Sequence, residues 1–172
     1  MKTLMMALGA MLIATLTGCA SYSGSGLVPG QSSQSDTRTL MGEPAGKYSA
    51  AAGGPYAESW EYPRGPAGRH TYMARFDASG TLVRVDQVLS LASVAKIKIG
   101  SDTQAEVRSQ LGRPGFVAAD RNGGESWDFY GISEYGRMRY VIYSVSFDSH
   151  GIATAAGERE DPVEQSKGRS RR

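Results

Sequence analysis

Few side chains in this sequence are placed to do chemistry. There is one cysteine and there are two histidines among 172 residues. No HExxH or CxxC spacing offers a metal site. His70 follows Arg69 at the start of a strand-like run, and His150 sits in the turn Asp148-Ser149-His150-Gly151. Asp77 and Asp148 recur in matching contexts and could suggest paired carboxylates. Each precedes a glycine by three residues, where an aspartate bonds its own turn, and that role is sufficient. Gly24-Ser25-Gly26 lacks the strand-turn-helix setting of a nucleophile elbow. Gly123-Gly124 has no Lys-Ser/Thr after it to cradle a phosphate and reads as a turn. No acid/base constellation is left, so no enzyme activity, cofactor, metal or small-molecule substrate is expected. A net charge of +2 without a basic patch gives no basis for nucleic-acid binding.

Cys19 is the exception. Met1-Lys2 is a minimal positive start, Leu4 to Ala14 is nearly all apolar, and Leu16-Thr17-Gly18 leads directly into Cys19. These are the regions of a secretory signal in order. The apolar run is well short of the ~20 residues that cross a bilayer as a helix. Leu16 to Cys19 resembles the lipobox of bacterial lipoproteins. That resemblance implies cleavage before Cys19, a diacylglycerol on its thiol and an acyl group on its new amine. Residues 1–18 are then the signal peptide. The alternative is an ordinary cleaved signal with a chance cysteine, or a structural thiol. One acyl chain binds a membrane only marginally, so the three chains implied by the resemblance give lasting attachment. Ala20 and Ser21 follow, with no aspartate after the cysteine. In a Gram-negative envelope this favours the outer membrane and its periplasmic face over inner-membrane retention.

The rest of the chain suits one compact domain or two small ones. Residues 19–26 have linker composition and are expected to form a tether. Residues 157–172 are charged, lack hydrophobic periodicity and are expected to be disordered. Between them runs an internal repeat. At an offset of about 70 residues Gly30 falls on Gly100, Gln34 on Gln104, Arg38 on Arg108, Gly42 on Gly112 and Pro44 on Pro114. Trp60 matches Trp127, and Phe76-Asp77 matches Phe147-Asp148, at nearly the same offset. The units are placed at 27–88, the more degenerate copy, and 89–156.

Each unit has a readable order. In the second copy, Gln87 to Lys96 carries apolar residues at Val88, Leu89, Leu91, Ala92, Val94 and Ala95, enough for a short packed helix. Thr103 with Glu106 is a capping box opening another helix, which Gly112 and Pro114 close. Strands are expected near 127–130, 139–147 and 152–155. In the first copy a helix is expected at 32–41 and strands near 58–62, 70–77 and 81–88, with the leading helix weak or missing. The expected fold is α+β: two tandem α-α-β-β-β units, antiparallel sheet, with short helices packed on one face. The two sheets could join side by side into a six-stranded sheet.

Val94 to Gly100, Glu106-Val107, Leu111-Gly112-Arg113-Pro114, Trp127 and Phe147 to Gly151 together resemble the BamE-type small outer-membrane lipoprotein domain. The resemblance covers roughly 85–156 well and 27–88 loosely. It implies a non-enzymatic accessory factor linked to assembly of β-barrel outer-membrane proteins, with an envelope protein as partner. That family has one unit, whereas this chain has two. The tandem resembles the architecture of β-lactamase inhibitor proteins, which implies the alternative of a periplasmic inhibitor or sensor gripping an enzyme with its sheet. Either role would use the sheet face turned away from the helices. Alternation puts Tyr140 and Ile142 there in the second copy and Met73 and Arg75 in the first. These are types enriched at interfaces.

Overall fold

A computed structural model describes residues 21–50, 53–133 and 139–162. Cys19, the signal segment and residues 163–172 lie outside the described residues. The first unit holds α1 (Gln34–Met41) and strands β1 (Gly46–Ser49), β2 (Glu58–Arg64), β3 (His70–Phe76) and β4 (Leu82–Gln87). The second holds α2 (Leu91–Val94), α3 (Gln104–Leu111), β5 (Phe116–Ala119), β6 (Glu125–Ser133), β7 (Arg139–Phe147) and β8 (Ala153–Glu160). The strands form two separate antiparallel sheets of four, in orders β1-β2-β3-β4 and β5-β6-β7-β8.

The class is α+β with tandem units, as the repeat implies. Each sheet has one strand more than expected, because β1 and β5 are four-residue edges too short to show a period. The sheets do not merge into a six-stranded one. Residues 21–30, the counterpart of the α2 region, form turns rather than a helix.

Local physics is duplicated closely. Ser33 and Thr103 each open a helix with a capping box, to Asp36 and Glu106. Gly42 and Gly112 close those helices with φ of 87° and 88°, a region that penalises any residue with a Cβ. Trp60 packs on Phe76 at 4.8 Å between ring centroids, and Trp127 on Phe147 at 4.7 Å. Arg38 lies over the first indole and Arg108 over the second.

Sheet registers sort the faces. Trp60, Ala74 and Phe76 point to α1 and join Met41, Tyr62 and Leu82 in one core. Ser59, Glu61, Met73 and Arg75 point the other way. Met73 belongs to the second unit's core, with Val94, Val107, Leu111, Trp127 and Tyr143. The layers therefore run α1, first sheet, α2 with α3, second sheet. Helices cover both faces of the first sheet, not one.

Two expected unstructured segments are ordered in part. Ser21 donates its N–H to Leu40 O at 2.6 Å, and Tyr22 bonds His70 Nδ1 at 3.2 Å and meets Tyr72 edge-on. Linker composition is overridden here by these bonds and by the close packing of Gly24, at φ 78°, against Met41 and Val85. Residues 157–160 continue β8, and Asp161 is buried against Arg69. Backbone pairing to β7 recruits them despite their charge.

Met73 is fully buried between the layers. Met73→Ala is expected to lower the unfolding free energy by about 2–5 kcal/mol, measured by urea denaturation of the full chain. A loss below about 0.5 kcal/mol would contradict the shared core.

Candidate interaction surface

The outer face of the first sheet is a binding face, and it is already occupied. Its occupant is the C-terminal end of α3. Helix ends leave carbonyls without intrahelical donors. Arg75, 4 % exposed, supplies donors: Nη1 to Ser109 O at 3.1 Å and Nη2 to Gln110 O at 3.2 Å. Its remaining contacts are Ser59 Oγ, which accepts from Nη1, Asp86, which accepts from Nε, and the ring of Tyr56 at 4.5 Å. A buried cation needs this full set of partners to persist.

Glu61 holds the next residues of the same helix end. Its Oε1 accepts from Arg113 N–H at 3.0 Å, and its Oε2 accepts from Tyr48 O–H at 2.5 Å. A Cβ on Gly112 would come within 2.7 Å of Glu61 Oε1. Gly112 is thus required twice, for its left-handed φ and for the approach of a carboxylate. Gly42, its counterpart, has open space at that point.

A second clasp joins the units through Arg69. Arg69, after the short helical turn Pro66–Gly68, donates to Gly131 O at 3.2 Å and to Asp161 Oδ2 at 2.7 Å. Its guanidinium stacks 4.1 Å from the ring centroid of Tyr140.

The residues expected to form an open partner face are therefore placed differently. Met73 and Arg75 do face away from α1, but α2 and α3 bury them. Ile142 faces away from the helices yet is 4 % exposed. Only Tyr140 is accessible, at 38 %, and Arg69 rests on it. Alternation predicts direction along a strand; it cannot reveal what covers a face. Sequence reasoning missed Glu61, Tyr48 and Arg69 altogether. A signal did exist. Met73 and Arg75 align with Ser144 and Ser146, so the large interface residues are confined to one copy.

The turn aspartates hold their own loops. Asp77 Oδ1 accepts from Ser79 and Thr81 N–H, and Asp148 Oδ1 accepts from His150 and Ile152 N–H. Ser79, through its hydroxyl, holds the Asp77 carboxyl below its usual range, and the Ile152 N–H does so for Asp148. Each serves a separate hairpin. Among the described residues no group of three or more His, Cys, Asp or Glu is placed to hold a metal.

Residues 87–157 match the family described as outer membrane protein assembly factor BamE domain. The second unit is similar to that domain. No curated protein and no solved structure matches the chain. The BamE-like unit includes α2, α3 and β5 to β8, so the helix end gripped by Glu61 and Arg75 is its Leu111-Gly112-Arg113-Pro114 segment. The first unit acts as a built-in partner for it.

Burial, with the Glu61 bond, pushes the Tyr48 hydroxyl up to about 12. Burial also raises Tyr62 to about 12. A raised folded value stabilises fully below the ordinary tyrosine value near 10 and loses that contribution as pH rises through the folded value. Stability is expected to fall between pH 10 and about 12. Tyr48→Phe should make that fall shallower and leave the part due to Tyr62. An unchanged pH profile in the variant would contradict the Tyr48–Glu61 assignment.

Proposed function

We propose that this protein is a lipid-anchored accessory factor of the outer membrane, acting without catalysis in assembly of β-barrel outer-membrane proteins. The BamE domain match over residues 87–157 carries this reading. The lipobox-like run ending at Cys19 supports the anchor, with a diacylglycerol on the thiol and an acyl group on the amine. The lipid would hold the chain on the periplasmic face, and its partner would be a protein of the barrel-assembly machinery.

The ordering of residues 21–27 gives the anchor a consequence. Ala20 alone separates Cys19 from Ser21, a span of at most about 7 Å. The first unit would sit close to the bilayer, at the corner made by Tyr22, His70 and the end of α1. The BamE-like unit would then face the periplasm. The inhibitor alternative relies on open outer faces across the tandem. The first sheet offers none, because α3 fills it.

Cys19→Ser is expected to abolish incorporation of labelled palmitate and release the chain from the membrane fraction. Retained labelling would overturn the anchor. Crosslinked affinity purification from native envelopes, with Cys19 intact, is expected to recover barrel-assembly components. Recovery of one soluble hydrolase instead would overturn the assembly role.

A further inference from the structure

Each sheet has two edge strands: β1 and β4 in the first, β5 and β8 in the second. An open edge presents unpaired backbone groups, and natural sheets guard edges with charge, proline or covering chain. β1 carries Lys47, and Arg113 donates to Ala45 O just before it. β4 carries Arg84 and Asp86, and its start is covered where Gly30 N–H bonds Leu82 O and Leu82 N–H bonds Ser32 O. β8 carries Glu158, Arg159 and Glu160, and Ala153 is bonded to Gly100 and Asp102.

Among the described residues, β5 itself carries none of these guards. Its sequence is Phe116-Val117-Ala118-Ala119, with Phe116 54 % and Val117 45 % exposed. Asp120 N–H bonds Gly124 O across the hairpin, and Ala118 pairs with Ser126 and Phe116 with Asp128. Antiparallel ladders alternate, so Phe116 and Ala118 turn their backbone groups to β6. Val117 and Ala119 turn theirs outward. Among the described residues nothing bonds the outward N–H and C=O groups of Val117 and Ala119, which lie beside exposed apolar side chains.

We propose that β5 is a strand-addition site for an extended segment of a partner protein, with apolar residues in its centre and acidic residues at its ends. Added strands gain affinity from main-chain hydrogen bonds and specificity from alternate side chains. Arg113 and Arg121 flank β5, and neither belongs to an ion pair among the described residues. A strand laid along β5 meets Arg113, whose Nη2 also reaches Ala45 O, at one end and Arg121 beside the Asp120 carboxylate at the other. The same charges disfavour a second copy. Antiparallel self-pairing through Val117 and Ala119 sets Arg121 of one copy opposite Gly115 of the other, near its Arg113. Like charges in that position are destabilising. The inference rests on the proposed assembly role only for the source of the segment, a chain not yet closed into a barrel.

The test uses the detergent-purified full chain. The probe is a fluorescein-labelled peptide of alternating valine and threonine with glutamates at both ends, followed by anisotropy. Binding is expected to weaken roughly tenfold or more with lysines at the peptide ends, with alternate amides N-methylated, or in Val117→Pro. The Val117 N–H faces outward, so proline there leaves the β5–β6 ladder intact. If that variant does not fold, Val117→Lys installs the guard that β1 has. No binding, or equal binding in all cases, would overturn the proposal. A dimer in sedimentation that Val117→Lys dissolves would assign the edge to a second copy. Binding seen only after deletion of residues 163–172 would assign it to the chain's own tail. Recovery of barrel-assembly components by the wild-type chain is a separate readout. Peptide binding lost while recovery persists removes the strand site alone; the reverse removes the assembly role alone.

Discussion

The architecture depends on the end of one helix. α3 finishes at Leu111-Gly112, and its last carbonyls and the following N–H need partners that its own unit does not supply. Arg75 donates to the carbonyls of Ser109 and Gln110, and Glu61 accepts from Arg113 N–H. Both side chains come from the other unit and both are buried. Hydrogen bonds to charged groups contribute about 1.5–3 kcal/mol each, and an unpaired buried charge costs several kcal/mol. The helix end and the sheet face thus each correct a defect in the other. Lysine could not replace Arg75, because it has no planar fork to span two carbonyls and a hydroxyl.

This clasp explains why the copies diverged where they did. Residues that build a unit are preserved in pairs: the capping boxes, the glycine helix ends, the Trp–Phe contacts and the turn aspartates. Residues on the outer sheet face are not. Glu61 aligns with Asp128, which is tied instead to Arg159 and Ser144 within its own sheet. Arg75 and Met73 align with serines. The first unit has specialised as a platform for the second. In the BamE-like unit Phe116 and Val117 of β5 remain exposed.

Much of this was legible in the sequence. Thr103 and Glu106 announce α3, and the Val141, Tyr143, Val145, Phe147 alternation gives β7 and its inward face. Helix and strand periods are local properties. What covers a face is a property of distant segments, so Met73 and Arg75 read as outward without revealing α3 above them. β1 and β5 have four residues each, less than a readable period, and were hidden for that reason. Residues 157–160 and 21–26 look unstructured by composition. Partners supplied by β7, Leu40 and the His70 corner order them.

With the α3 clasp in place and Met73 of the first sheet buried in the second unit's core, the two units unfold together. Differential scanning calorimetry of the full chain tests it most directly. A single transition, with van't Hoff and calorimetric enthalpies equal, is the predicted result. Two separable transitions, with the BamE-like unit melting independently of the first, would contradict it.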